Sequence, residues 1–168
     1  ISARDLARRR GVPLIVRTDV NIGRQEHRVV AAQLARMLRL DEDHSHLRAF
    51  HKVDPRWKSS GRGRIMRSAT LFEDVIKTIT SCNVTWPSTI IMNRKLCEAF
   101  NPAFPTAKEL ARKRPATLRA RCSVGYRDKR LVELAGLAAS GHLDAEWFED
   151  PATPDDALLA ALLDLPGI

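Results

Sequence analysis

Aromatic side chains are scarce in this 168-residue chain: one Tyr, three Trp and five Phe make up 5% of it. Aliphatic residues must therefore fill most of any core. Cysteine is scarce as well. Cys82, Cys97 and Cys122 lie far apart with no C-x-x-C pair, which argues against a zinc ribbon. An odd number without a dense framework fits a reducing compartment, and a cytoplasmic setting is expected, beside the nucleoid if the source is bacterial. No apolar run approaches a membrane span and no segment reads as a secretory leader, so no membrane partner is expected. A Gly-rich nucleotide loop, a strand–helix–strand alternation and an internal repeat are all missing.

Positive charge is in excess. Lys and Arg number 28 against 20 Asp and Glu, for a net charge of +8. That balance favours a polyanionic partner, nucleic acid before acidic membrane. The bland alternative is a basic protein from an Arg-rich proteome. Hydrophobic content of 44% and charged content of 29% suit one soluble domain, or one domain with a fragment of another.

Along the chain, "ISARDLARRRG" is a basic, partly amphipathic opening. In "VPLIVRTDV" the run Leu14, Ile15, Val16 predicts a strand, the remnant of a sheet whose other strands are missing or remote. From Arg24 onward the texture is helical. Val30, Leu34, Met37 and Leu38 share a face, and a second short helix runs to about His51 before Pro55 stops it. Thr70 with Glu73 predicts a capping box for a helix whose apolar stripe is Leu71, Phe72, Val75, Ile76 and Ile79. The next helix places Met92, Leu96 and Phe100 in line. Thr106 with Glu109 repeats the capping logic, Pro115 opens a short helix, and Gly125 turns into a helix carrying Leu131, Leu134 and Ala138. Asp144 caps another short helix. The last has Thr153 as its cap, Pro154 at its first position and two acids in its first turn.

Several clusters invite chemistry. Asp41, Asp43, His44, His46 and His51 suggest a metal, but acids before a helix are caps and no histidine pair has i, i+4 spacing, so no metal is assigned. Arg62, Arg64 and Arg67 with Gly61 and Gly63 read equally as a phosphate grip or a solvated loop. Ser81 and Cys82 have no histidine nearby in sequence to activate them, so a structural role is favoured. The chain closes on "LLDLPGI", a helix running into Pro-Gly and one hydrophobic residue. Such a turn opens a helix-hairpin-helix, whose backbone N–H groups face phosphate, or it is a simple C-terminal turn.

Taken in order, "GRGRIMRSATLFEDVIKTITSCNVTW", "AFPTAKELA", "VGYRDKRLVELA" and "LLAALLDLPGI" resemble the helix-hairpin-helix (HhH-GPD) DNA glycosylases of base-excision repair, the 8-oxoguanine and 3-methyladenine branch above all. The likeness covers about residues 25 to 168. It implies a mainly α, two-lobed helical glycosylase domain over 25–168, incomplete at the hairpin, with 1–24 as the end of a β region. It implies an enzyme that flips a damaged purine out of duplex DNA and breaks its N-glycosyl bond, with or without a strand-nicking lyase step. Such enzymes stabilise the cationic sugar with an aspartate placed after the hairpin, which the resemblance puts beyond Ile168. No catalytic residue and no cofactor is therefore assigned within this chain. Duplex DNA holding a damaged base is the implied partner, bound by a monomer.

The residues carried over are few. Asn83 stands where the family fills the gap left by the flipped base, although Val84 and Thr85 replace the asparagines that follow there. That departure leaves oxidised and alkylated purines both open. Tyr126 and Arg127 match a pair that wedges the duplex and touches the opposite strand. Leu165, Pro166, Gly167 and Ile168 are the hairpin's first half, and Trp86 either lines the base pocket or caps the core. The rival reading is a non-catalytic helical module that only binds duplex DNA.

Overall fold

The computed structural model describes residues 14–168 apart from 41, 61, 101 and 102. Among the described residues there are nine α-helices, two 3₁₀ turns and no strand, so the mainly α expectation holds. The predicted strand does not form. Its first residues lie outside the described ones, and Leu14, Ile15 and Val16 run without secondary structure, exposed. A strand is stable only when its backbone groups pair with a neighbour, which no described segment provides. The amphipathic opening also lies outside the described residues.

The chain divides into two compact units, Ile1–Ala69 and Thr70–Ile168. The first holds α1 (Arg24–Met37), α2 (Ser45–Val53) and a 3₁₀ turn (Pro55–Trp57). In α1 the deepest side chains are Ala31 and Ala35, offset from the larger apolar stripe, which is only half-buried. The basic loop after the 3₁₀ turn is docked within this unit. Arg62 lies over the Trp57 ring at 5.4 Å, Arg67 pairs with Glu42 at 3.1 Å, and Arg64 contacts the His44 ring. Gly63 has φ of 122°, and a Cβ there would fall 2.5 Å from the Phe50 ring. Only glycine fits that position. His51 contacts the Arg62 carbonyl at 2.7 Å, and Asp43 accepts from the Ser45 N–H. Among the described residues no three His, Cys, Asp or Glu side chains come together as a metal site.

The second unit carries α3 (Leu71–Ser81), α4 (Trp86–Ala99), α5 (Ala107–Ala111), α6 (Pro115–Cys122), a 3₁₀ turn (Gly125–Arg127), α7 (Asp128–Ala139), α8 (Ala145–Phe148) and α9 (Asp155–Leu163). Three of the four predicted caps accept backbone N–H groups, Asp144 from Glu146 among them, and the box predicted at Thr70 forms only in its Thr70 half. Thr70 Oγ1 accepts from the Glu73 N–H, and Thr106 and Glu109 satisfy each other's backbone reciprocally. α7 packs against α3, α5 and α6, while α4 lies against α3 and α6. Between them Ile76, Ile79, Leu96, Leu110, Leu118, Leu131 and Leu134 are sealed from solvent. The start of α9 differs from the prediction. Pro154 is its cap rather than its first residue, and Thr153 Oγ1 donates instead to the Trp147 carbonyl at 2.7 Å.

Leu131 is fully buried, whereas Leu159 on α9 is 58% exposed. Leu131→Ala is expected to cost about 2–5 kcal/mol in urea unfolding, through lost transfer energy and a residual cavity. Leu159→Ala is expected to change stability by less than about 1 kcal/mol. Equal losses at the two positions would contradict this core.

Candidate nucleic-acid interface

The end of a helix leaves carbonyls without intrahelical donors. In α3 side chains supply them. Ser81 Oγ and Cys82 Sγ donate to the Thr78 carbonyl, and Thr89 Oγ1 donates to that of Thr80 at 3.3 Å. Arg127 reaches in from another part of the chain. Its Nε–H donates to the Ile79 carbonyl at 3.0 Å and its Nη2 to the Cys82 carbonyl. Asn93 Nδ2 donates to Thr80 Oγ1 and to the Thr89 carbonyl, which ties α4 to the same helix end.

Asn83 follows with φ of 52°. It follows the extended Cys82 that ends α3, so this left-handed residue sits in the turn after the helix, a place for glycine or asparagine. Its side chain is exposed, as are those of Val84 and Thr85. The gap-filling candidate thus stands at the tip of a short turn whose base is hydrogen-bonded. Trp86 begins α4 and is 70% exposed, so it is no lid on the core.

The G-Y-R stretch forms a second projecting turn. Ser123 and Gly125 both have positive φ, 58° and 59°. Ser123 Oγ accepts from Lys95 Nζ at 2.7 Å, and Val124 is fully buried. Tyr126 is 55% exposed. Arg127 departs from its expected place. It is buried at 4% exposure, and its guanidinium faces the α3 carbonyls. Its Cζ also lies 4.4 Å from the centroid of the Tyr126 ring. The adjacent Asp128 does not pair with it. That carboxylate is buried and takes two hydrogen bonds at 3.1 Å from Arg119, which hold it below the usual carboxylate range.

The closing residues make a third turn. The Ile168 N–H donates to the Leu165 carbonyl at 3.2 Å, with Pro166 and Gly167 between them and Gly167 at φ 98°. These are the residues and the sign of φ that a type II turn requires. Leu165 belongs to the core cluster, so its side chain anchors the turn. Ile168 is 44% exposed. A Cβ on Gly167 would meet Arg130 Cδ at 3.1 Å and Ile79 Cδ1 at 3.5 Å.

Those distances set the three turns near one another. Ile79 gives its carbonyl to Arg127 and its side chain to the Pro-Gly turn. Arg130 Cδ stands on the side of Gly167 where a Cβ would project, and its guanidinium carbon is 5.8 Å from the Tyr126 ring centroid. Asn83, Tyr126 and the Leu165–Ile168 end are therefore linked through Arg127, Ile79 and Arg130. Sequence reasoning missed Arg130. Its spacing from Tyr126, one helical turn on, was the available signal.

No protein-family model and no curated protein matches the chain. Among solved structures it is similar to the 8-oxoguanine glycosylase/lyase of Clostridium acetobutylicum, crystallised in complex with dsDNA containing cytosine opposite 8-oxoG. The TM-score is 0.64 at 22% identity, over 88% of this chain and 53% of that one. The chain thus has the helical fold of that glycosylase and spans about half of its length.

The Arg119–Asp128 pair gives a signed pH dependence. A carboxylate held below its unfolded pKa stabilises the fold fully above about pH 4, and that contribution is lost as pH falls through the folded pKa. Urea unfolding of Arg119→Gln is therefore expected to show its deficit at pH 7 and to converge on the parent as Asp128 protonates. A deficit that persists undiminished at about pH 2 would contradict the pairing.

Proposed function

We propose that this chain is the duplex-opening part of a DNA glycosylase acting on a damaged purine. Asn83 enters the gap left by the extruded nucleotide. Tyr126 wedges between neighbouring bases and unstacks them. The Pro-Gly turn meets the backbone nearby, with Arg130 adding charge. The observation carrying this reading is the physical linkage of the three turns through Arg127, Ile79 and Arg130. Elements scattered at random in sequence would have no reason to converge. The excess of positive charge and the likeness to a glycosylase crystallised on damaged DNA support it.

The chemistry itself needs an aspartate beside the sugar, to stabilise the cationic transition state. That role is assigned to no residue of this chain. With Val84 and Thr85 after Asn83, the reading extends to oxidised and alkylated purines alike.

The test is affinity for a short duplex carrying an abasic-site analogue, compared with the same duplex intact, across a salt series. Preference for the abasic duplex is expected, on top of a steep salt dependence common to both. Equal affinity for the two would overturn the reading and leave a plain duplex-binding module. Asn83→Gly keeps the left-handed turn without strain while removing the side-chain amide. It is expected to lower the abasic preference with thermal stability preserved. Tyr126→Ala should do the same, because a ring 55% exposed contributes little to the core. A fall of several degrees in Tm for Tyr126→Ala would place the ring in packing instead.

A further inference from the structure

We propose that Lys108, Arg112, Lys113 and Arg114, at the junction of α5 and α6, hold the phosphate backbone of a second DNA duplex, separate from the one met by Asn83 and Tyr126. This goes beyond the duplex-opening role and rests on it only for where the first duplex lies. All four side chains are exposed. Lys108 and Arg112 are one helical turn apart and share a face of α5. Lys113 stands over Phe100, its Nζ 5.0 Å from the ring centroid. Glu109 is the one acid among residues 107–127. Its carboxylate is taken up by Thr106, whose N–H and Oγ1 donate to it at 2.8 and 2.7 Å. Among the described residues no carboxylate lies within ion-pair distance of any of the four cations.

These charges do not serve the fold. Helices α3, α5, α7 and α9 carry acids in their first turns, where the dipole favours them. α6 carries none, and Arg114 is its N-cap without a side-chain hydrogen bond. Three successive cations therefore oppose the helix dipole and one another, a cost that an anionic ligand offsets. The surface around them selects the ligand. Among the described residues no large hydrophobic side chain between Ile91 and Tyr126 is exposed. A protein partner needs apolar or aromatic anchors for its affinity, whereas a phosphate backbone is held by charge and by guanidinium forks. The place selects which duplex. α6 is eight residues long, about 12 Å, and its far end leads through Ser123 into the turn that bears Tyr126. The cations stand at the opposite end of that helix, so the phosphates they hold are not those beside the extruded nucleotide. A chain with two such surfaces passes from one DNA segment to the next without first being released.

The experiment uses the 168-residue chain, an intact duplex tethered to beads and a second, labelled duplex free in solution. The parent is expected to capture the labelled duplex on the beads. The logarithm of the capture constant should fall against that of salt with a slope of about −3.6, for four phosphates at about 0.9 each. The variant carries Lys108→Gln, Arg112→Gln and Arg114→Gln together and leaves Lys113 on Phe100. Its capture is expected to fall about ten-fold or more, with affinity for the tethered duplex within about two-fold of the parent. Its thermal stability should be equal or higher, because the removed charges oppose the α6 dipole. Unfolding of the variant would contradict that claim, and Arg112→Gln alone then reads the capture. A parent that binds the tethered duplex but captures no second one would overturn the inference. Capture unchanged in the variant would do so too, and would place the bridging in contacts between copies of the chain. Affinity for the tethered duplex falling in step with capture would assign the cations to the first duplex. Displacement of the captured duplex by polyglutamate as effectively as by unlabelled duplex would assign them to an acidic protein. Either result defeats the proposal. A parent that captures the second duplex yet shows no preference for an abasic site refutes the opening role alone.

Discussion

A buried guanidinium laid across the last carbonyls of α3 is the contact on which this surface depends. An arginine away from water is costly unless its donors are met, and here the acceptors are main-chain oxygens at the negative end of a helix. The exchange works in both directions. The helix end loses its unsatisfied carbonyls, and the cation gains partners that have no side-chain freedom to lose. Around that contact the left-handed Asn83, the half-exposed Tyr126 and the Pro-Gly turn take their places.

The neighbouring pair shows how finely the charges are sorted. Arg127 and Asp128 are adjacent and of opposite sign, yet each finds its partner elsewhere: carbonyls of α3 for one, Arg119 of α6 for the other. Four segments of the second unit are thereby cross-linked by two arginines. Cation and carboxylate side by side in sequence would have been a local contact. Turned apart, they connect α3, the 3₁₀ turn, α6 and the start of α7.

Much of this fold could be read from residues alone. The cap at Thr70, the capping box at Thr106 and the apolar stripes in α3 and α7 are local patterns, and local patterns survive folding because the hydrogen bonds they predict are short-range. The misses have one character. Leu14–Val16 has the composition of a strand, but pairing is a property of two segments and composition reports only one. The inward turn of Arg127 is hidden from the sequence as well, because nothing near it announces carbonyls contributed by residues more than forty positions earlier. Arg130 escaped notice for the same reason: its use is decided by the approach of the Pro-Gly turn. Asn83 was recognised by its place in a family pattern, while the backbone reason for an asparagine there, a positive φ in the turn after α3, emerged only from the fold.

Ile79 occupies an unusual position in this arrangement. Its main chain serves one projecting turn and its side chain another, and it is itself 1% exposed. Changes on either side must therefore be compatible with the same residue. A bulkier neighbour at the Pro-Gly turn would press on the helix that carries Asn83, and a shift in the helix would loosen the turn. Among relatives of this chain, drift at Ile79, Arg127, Arg130 and Gly167 should be correlated, with the four positions inherited as a block.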